Sequence, residues 1–267
     1  MAERQQHFKS HRTDMTLFEI LLLLSAAFGA GVLNTIAGGG TFLTFPALVF
    51  VGIPPVVANA TSTVAVLPGY LGGALGFRKE VMEFDRKQLI RLIVIGLLGG
   101  AVGSVLLLIS SDRAFSALVP FLLLIATFVF LFGAQIRAWA ARRSQSVTPF
   151  GAFGMFAVST YGGYFNGGLG IILLALFSLW GMTNIYQMNG LKTAMSFILS
   201  AISVAIFAGA GIIEWKAGLM MMVASTAGGY AGAPISKALP MPVVRGIVAT
   251  VGFAMSGVFF WRVFVGG

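Results

Sequence analysis

The stretch GVLNTIAGGGTFLTFPALVFV, residues 31–51, largely determines how this chain folds. Its apolar residues are dense enough for a membrane, yet Asn34, the run Gly38–Gly40 and Pro46 interrupt them at short intervals. Glycine and proline break helices, and exposed backbone is tolerated at membrane depth only where it is buried in protein or lines a cavity. The stretch therefore predicts a broken or re-entrant helix inside a membrane protein.

The composition of the whole chain supports a membrane location. Of its 267 residues, 58% are hydrophobic and 9% are charged, and the mean hydropathy is +0.94. A soluble domain carries roughly a quarter charged residues, so a soluble globular protein is excluded. The absence of cysteine excludes a disulfide scaffold, a thiolate metal site and a cysteine nucleophile. The basic residues behind the net charge of +9 sit in short loops, which does not indicate nucleic-acid binding.

Apolar stretches predict an all-α integral membrane protein with about eight transmembrane helices. A polar tail, 1–16, precedes an interrupted apolar run that starts at Leu17. Further apolar stretches, each near the ~20 residues that cross a bilayer, lie at about 56–76, 89–110, 114–136, 184–211, 217–235 and 243–265. Residues 160–183 are apolar but glycine-interrupted, like 28–55. Whether 41–51 and 168–180 are re-entrant or full crossings is left open.

Basic residues predict which loops face the cytoplasm, because cytoplasmic loops are enriched in Lys and Arg. If the N-terminus, the segments 77–91 and 137–149, the turn at 212–216 and the C-terminus are cytoplasmic, that side holds 13 basic residues. The opposite loops then hold Arg113, Lys237 and Arg245. We therefore expect a multi-pass protein of the bacterial inner membrane with both termini in the cytoplasm.

The two halves of the chain resemble each other. A shift of 132 residues places GVLNTIAG (31–38) on GYFNGGLG (163–170), and a shift of 130 places Asn59–Thr63 on Asn189–Thr193. Internal repeats of this kind are typical of transporters that bind substrate between the repeats.

The repeats predict how the chain is organised. We expect a first four-helix repeat at 17–138, a basic cytoplasmic linker at 139–149 and a second four-helix repeat at 150–267. An even number of crossings in each repeat would make the two repeats parallel. Glycines four residues apart, such as Gly69/Gly73 and Gly99/Gly103, predict close helix packing.

Several motifs resemble a known family. AGGGTFLTFPALVFVGIPPVVANATST (37–63), with NGLKTAMSF, GIIEW and GGYAGAPISKAL in the second half, is similar to the sulfite exporter TauE/SafE family of membrane permeases, of the 4-toluene sulfonate uptake permease type. The resemblance covers nearly all of 17–265. It implies a transporter of sulfur-containing anions such as sulfite or small organosulfonates. The second half departs from the first where Lys192 replaces Ser62.

Polar residues in and beside the two glycine-rich breaks predict an anion site between the repeats at mid-membrane. A helix N-terminus presents unpaired N–H groups and about half a positive charge, which suits an anion. Amide and hydroxyl side chains add further donors. The predicted substrate-binding residues are Asn34, Gly38, Gly39, Gly40, Thr41, Asn59, Thr61, Ser62, Asn166, Gly167, Gly168, Gly170, Asn189, Lys192 and Thr193.

Lys192 lies inside an apolar region. A lysine deep in a span costs about 2.5–3.5 kcal/mol on insertion scales, which a bound anion would offset. The alternative is that Lys192 lies near a helix end and extends its ammonium group to the interface. A flexible ammonium group is a point charge and suits anions of different shapes.

The acidic residues bear on the energy source. None of the eight lies clearly inside a predicted span, and Glu19 comes nearest. Proton-coupled transporters commonly use buried acidic residues or histidines, so potential-assisted efflux without coupling is predicted. No cofactor and no metal are predicted, because His7 and His11 lie in a polar tail and would form a weak site.

Other functions are left open at this point. An anion channel could have the same composition, and so could a permease that imports a different organic anion. An enzyme is not expected, since an intramembrane protease needs a histidine or two aspartates inside its spans. The expected partners are a small anionic substrate and the lipid bilayer, without nucleic acid; a homodimer is an open alternative.

Overall fold

The computed structural model describes residues 15–36, 39–143, 150–238 and 241–265, with side-chain environments for all of these except 35–36, 232–238 and 241–245. In these ranges the chain forms twelve α-helices and no strand, and it ends in a π-helical turn, Trp261–Val265. The helices are α1 (Leu17–Ile36), α2 (Thr41–Phe50), α3 (Pro55–Gly76), α4 (Arg78–Met82), α5 (Arg86–Ile109), α6 (Asp112–Leu131), α7 (Gly133–Arg142), α8 (Ala152–Tyr164), α9 (Leu169–Leu179), α10 (Ile185–Gly209), α11 (Trp215–Ala238) and α12 (Met241–Phe260).

Five of the described helices are long and apolar enough to cross a membrane: α1, α5, α6, α10 and the segment Gly246–Val265 that begins in α12. Helices α3 and α11, of 22 and 24 residues, also have sufficient length at about 1.5 Å per residue. The prediction of an all-α integral membrane protein is confirmed.

Both glycine-rich stretches break a helix, as predicted. The second break separates α8 from α9, and Gly168 at the start of α9 has φ 74°, a left-handed conformation that favours glycine. The ring of Phe150, before α8, lies 5.1 Å from that of Trp180, after α9. Helices α8 and α9 therefore form a re-entrant hairpin whose two ends share one face of the membrane. The predicted crossing within residues 160–183 is therefore a hairpin rather than a full crossing.

Helices α1 and α2 form a corresponding hairpin. A Cβ atom on Gly29 would meet Leu43, and one on Gly40 would meet the carbonyl oxygen of Ala30, so the two helices run antiparallel. The break between them contains Gly39 and Gly40. The start of α1 and the end of α2 consequently lie on the same face.

The two hairpins end in the same way. Gly52 follows α2 with φ 87° and Gly181 follows α9 with φ 81°. In both cases the next residue donates its N–H to the carbonyl oxygen five residues before it. The N-cap residues Pro54 of α3 and Asn184 of α10 come next, at an offset of 130. These matches support the division into repeats at 17–138 and 150–267, joined by 139–149, which we propose.

Helices that correspond in the two halves run antiparallel. A Cβ atom on Gly73 of α3 would meet Thr193 of α10, and one on Gly190 would meet Phe77. Advancing along α10 therefore means moving backwards along α3. The expectation of parallel repeats is wrong, because each half contains three full crossings and one hairpin rather than four crossings. An odd number of crossings turns the second half over.

The start of α1 and the 77–91 segment lie on opposite faces. We call the face where α1 begins the proximal face and the face that carries 77–91 the distal face. At the proximal face the N–H of Val56 donates to Asp112, at the start of α6, over 3.3 Å. At the distal face Gln187, at the start of α10, donates to Glu83 over 2.7 Å.

The predicted grouping of cytoplasmic segments is therefore wrong. Because α1 and α2 return to the proximal face, α3 alone crosses before residue 77, and the start of α1 cannot share a side with 77–91. Eight of the described basic residues lie in 77–91 and 133–143, at the distal face, whereas Arg113, Lys216 and Arg262 lie at the proximal face. By the positive-inside rule this distribution favours a cytoplasmic distal face.

Close backbone contacts hold each hairpin against a crossing helix. A Cβ atom on Gly163 of α8 would lie 2.2 Å from the carbonyl oxygen of Gly100 on α5. A Cβ atom on Gly228 of α11 would lie 2.0 Å from the carbonyl oxygen of Phe28 on α1. Small residues allow such approach in membranes, where packing rather than the hydrophobic effect drives helix association.

Candidate functional site

Asn34 closes the tip of the first hairpin. Its Oδ1 accepts the N–H of Gly39 at 3.0 Å and that of Gly40 at 2.7 Å. Two of the amides that the sequence assigned to an anion are thus already paired. Gly38 lies outside the described residues. Thr41, the first residue of α2, is 2% exposed and its hydroxyl has no hydrogen-bond partner, so it is available to a ligand.

Asn59 links α3 to the tip of the second hairpin. Its Nδ2 donates to the carbonyl oxygen of Tyr164 at 2.9 Å, while its Oδ1 is buried without a partner. Close by, the rings of Phe45 on α2 and Phe165 at the second tip meet edge to face, with centroids 5.7 Å apart. The two hairpins, which enter from opposite faces, therefore overlap inside the protein.

Thr61 and Ser62 use their hydroxyl groups within the fold. Thr61 Oγ1 accepts the N–H of Glu214 at 3.0 Å, and Ser62 shares a hydrogen bond of 2.6 Å with Thr44 on α2. Both residues are fully buried. These bonds tie α3 to the start of α11 and to α2, so each residue has a structural role, and its role in substrate binding stays a prediction.

The second hairpin tip presents Asn166 to the interior. Asn166 is 3% exposed; its Nδ2 donates to Ser200 at 3.1 Å and its Oδ1 accepts the hydroxyl of Tyr70 at 3.5 Å. The carbonyl oxygen of Gly167 accepts the hydroxyl of Tyr161 at 2.5 Å. Buried at the same tip are Gly167, Gly168 and Gly170.

Lys192 lies on α10, two turns from the distal end of that helix. Its Nζ donates to Oδ1 of Asn189 at 3.0 Å, and the hydroxyl of Thr193 donates to the carbonyl oxygen of Asn189 at 3.0 Å. The side chain is half-buried. Its described hydrogen-bond partner is an amide rather than a carboxylate, so the charge is not neutralised by that partner.

The predicted residues do not form one pocket. Thr193 meets Gly73, and Asn59 lies fourteen residues earlier on α3, about 21 Å along the helix axis. The Asn59 group therefore lies toward the proximal face and the Lys192 group toward the distal face. Because the repeats are inverted, residues that correspond in sequence lie at opposite depths. Asn166 lies between the two groups, because its partner Tyr70 lies between Asn59 and Gly73 on α3.

Sequence reasoning missed three residues at the level between those groups. They are Tyr70 of α3 and Ser196 and Ser200 of α10. Tyr70 and Ser200 form hydrogen bonds with Asn166, and Ser196 lies one helical turn before Ser200. The available signal was a polar stripe at helical spacing, in which Thr193, Ser196 and Ser200 recur every three or four residues in an apolar helix.

The described interior supplies hydrogen-bond donors more readily than negative charge. The acidic residues in the described part of the chain lie in connecting segments, in the short α4 or in the first turn of a long helix. The described ranges contain no group of three or more His, Asp or Glu residues that could hold a metal ion. Hydroxyl and amide groups with one nearby lysine can bind an anion.

Comparison with known proteins agrees with a transport role. The family model for the sulfite exporter TauE/SafE matches residues 23–259. A probable membrane transporter protein of Haemophilus influenzae is 29% identical over 245 residues, covering 91% of this chain and 95% of the relative. The probable membrane transporter protein ORF9 of a Sinorhizobium species is 24% identical over 246 residues, covering 91% and 93%.

A third relative, the probable membrane transporter protein YfcA of Escherichia coli, is 28% identical over 244 residues, covering 88% of this chain and 87% of the relative. No solved structure matches the chain significantly. The family match spans most of the chain, from α1 to α12. The chain therefore belongs to the sulfite exporter TauE/SafE family and is a multi-pass membrane transporter.

Proposed function

We propose that this transporter carries small sulfur-containing anions, such as sulfite or organosulfonates, out of the cell. The observation that carries the proposal is the overlap of two half-helix hairpins from opposite faces, with buried hydroxyl and amide donors from both halves at the overlap. Thr41 supplies a hydroxyl without a partner from the first half, and Asn166 supplies an amide from the second. An oxyanion has several acceptor oxygens and suits such a set.

The ends of the broken helices add to this preference. Helices α2 and α9 both begin at the hairpin tips, so the positive ends of their dipoles lie inside the protein. Asn34 takes up two amides at the first tip and holds that helix end in place. This favours negative charge in the interior even though those two amides do not contact the anion.

We infer that Lys192 attracts anions on the distal approach to the site. Lys192 and Arg137 bring two positive charges near each other on that side. Together they raise the local concentration of anions without imposing a fixed geometry on them. Attraction that does not depend on the shape of the anion suits a transporter that accepts several sulfur-containing anions.

We further propose that the distal face is cytoplasmic and that both termini lie on the other side. In that orientation Lys192 meets anions that come from the cytoplasm. Each negative charge that leaves a cell gains about 2.3 kcal/mol per 100 mV of potential. The gain supports export without a coupling ion, in agreement with the positions of the described acidic residues.

The proposal is tested with purified protein in liposomes. We expect saturable flux of sulfite or an organosulfonate, measured beside sulfate, thiosulfate and taurine. Lys192→Ala should lose most of this flux, whereas Lys216→Ala, which removes an exposed lysine at the proximal face, should retain it. No transport of any tested sulfur-containing anion would refute the substrate class. Large unitary currents would identify an anion channel, and uptake of another organic anion would identify an importer.

A further inference from the structure

Three polar side chains meet where α3 and α10 pack together: Tyr70 of α3, Asn166 of the second hairpin tip and Ser200 of α10. Ser196 of α10 lies on the same side of its helix as Ser200. Asn166 joins Tyr70 and Ser200, since its amide donates to Ser200 at 3.1 Å and accepts the Tyr70 hydroxyl at 3.5 Å. Ser196 lies one helical turn before Ser200 and is 1% exposed. We call these four residues the Tyr70 cluster.

The register of α3 and α10 places the Tyr70 cluster at the centre of the protein. Thr193 meets Gly73 and the helices run antiparallel, so Ser196, three residues further on, lies level with Tyr70. The two helices correspond at an offset of 130 residues, so position 73 corresponds to 203 and position 193 to 63. Two-fold symmetry therefore relates the pair 73/193 to the pair 203/63. The local two-fold axis therefore passes beside Pro68. Tyr70, Ser196 and Ser200 each lie two residues, or about 3 Å along their own helix, from the level of this symmetry axis.

The hydroxyl groups of Ser196 and Ser200 are not used as helical serines usually are. A serine in a helix commonly donates its hydroxyl to the carbonyl oxygen four residues earlier. Ser178 and Ser203 do so here, at 2.9 and 2.8 Å. Ser196 Oγ is buried without a partner, and Ser200 accepts from Asn166 but donates to none of the described residues. Two hydroxyl protons are thus unpaired in the interior.

We propose that the Tyr70 cluster is a mid-membrane subsite that binds the oxygen atoms of an oxyanion, sulfite or the head group of an organosulfonate. This inference rests on the proposed function and names residues that the predicted site lacks. Tyr70 supplies a third hydroxyl, because its contact with Asn166 at 3.5 Å is long and easily exchanged for a shorter one. Asn166 orients Ser200 by occupying its acceptor site.

The unpaired groups select an anion over a cation. A hydroxyl proton without an acceptor is satisfied by a ligand that brings acceptor oxygens, and the oxygens of a sulfite or sulfonate group meet that requirement. A metal ion would instead favour negatively charged carboxylate ligands, and none of the four residues of the cluster is a carboxylate. Lys192 lies one turn before Ser196 on α10, about 6 Å along the helix, and supplies the positive charge that the cluster itself lacks.

Ser196→Ala removes one donor and leaves the helix intact. In liposomes we expect this variant to raise the KM for sulfite about tenfold, as the loss of one hydrogen bond to a charged ligand does. Ser159→Ala is the matched control, because Ser159 is also fully buried with an unpartnered hydroxyl but packs against Gly99 of α5. Its KM should stay within about twofold. An unchanged KM in Ser196→Ala, or equal changes in both variants, would overturn the subsite.

A labelling experiment tests ligand binding at the subsite independently of transport. The chain has no cysteine, so Ser196→Cys introduces a single thiol. We expect a saturating small organosulfonate, which unlike sulfite does not react with the reagent, to slow the reaction of this thiol with the anionic reagent 2-sulfonatoethyl methanethiosulfonate several-fold, and to leave Ser159→Cys unaffected. If wild type carries sulfite but both Ser196 variants behave like their Ser159 counterparts, the subsite fails and the proposed function stands. If wild type neither carries nor binds any tested sulfur-containing anion, the two fail together.

Discussion

Asn34→Ala should destabilise the protein by removing the acceptor of two buried amides. Asn34 Oδ1 takes the N–H groups of Gly39 and Gly40 at 3.0 and 2.7 Å. An unpaired buried N–H costs about 1–3 kcal/mol, and polar contacts in membranes are worth somewhat less, so we expect a loss of about 2–4 kcal/mol. That loss lowers the melting temperature by roughly 5–15 °C for a chain of this size. The measurement is thermal unfolding of purified protein in detergent.

Two further variants separate the structural role of Asn34 from a role in binding. Asn184, the N-cap of α10, also accepts two backbone N–H groups, at 3.0 and 3.3 Å, but it is exposed and water can replace it. Asn184→Ala should therefore cost only about 1 kcal/mol. Asn34→Asp keeps both acceptor positions and should fold better than Asn34→Ala, while its negative charge raises the KM for an anion. Equal melting temperatures for Asn34→Ala and Asn184→Ala would refute the reasoning.

Three other predictions follow from the fold. Single cysteines at the exposed positions Met82 and Trp215 should react with an impermeant maleimide from opposite sides of the membrane; labelling from one side would contradict the inverted repeats. Gly163→Val should yield little monodisperse protein, since its Cβ would lie 2.2 Å from a backbone oxygen, whereas Gly72→Ala, with open space, should purify normally; equal yields would argue against the packing of α5 on α8. The distribution of an organosulfonate, which stays ionised at every pH used, should shift across liposomes roughly tenfold per 60 mV per charge, and its uphill flux driven by a pH gradient alone would disprove uncoupled transport.

The sequence predicts the breaks but not the direction of the helices around them. The glycine runs identify both hairpin tips, because glycine disfavours a continuous helix wherever it occurs. The face on which each later loop lies depends on whether 41–51 crosses the membrane. The sequence of a ten-residue apolar helix does not show whether that helix crosses or returns to the face from which the chain entered. The parallel arrangement and the grouping of the N-terminus with 77–91 both depended on counting crossings, so both were wrong for the same reason.

Close packing and the site were predictable in part. Gly99 meets the backbone of α8 as its spacing predicts, but Gly69 has open space beside it in the described structure. Spacing alone does not reveal which side of a helix meets a neighbour. Asn34 and Asn166 were identified because amides are rare in apolar stretches. Ser196 was not, because serine is common in membrane helices and its hydroxyl becomes informative only once its missing partner is visible.

The three crossings in each half bear on how such a protein can arise. A repeat with three crossings begins on one side of the bilayer and ends on the other side. A second copy joined directly to that end starts from the far side and so inserts upside down without any added segment. Simple tandem fusion of one ancestral gene is therefore enough to produce the antiparallel pair of α3 and α10.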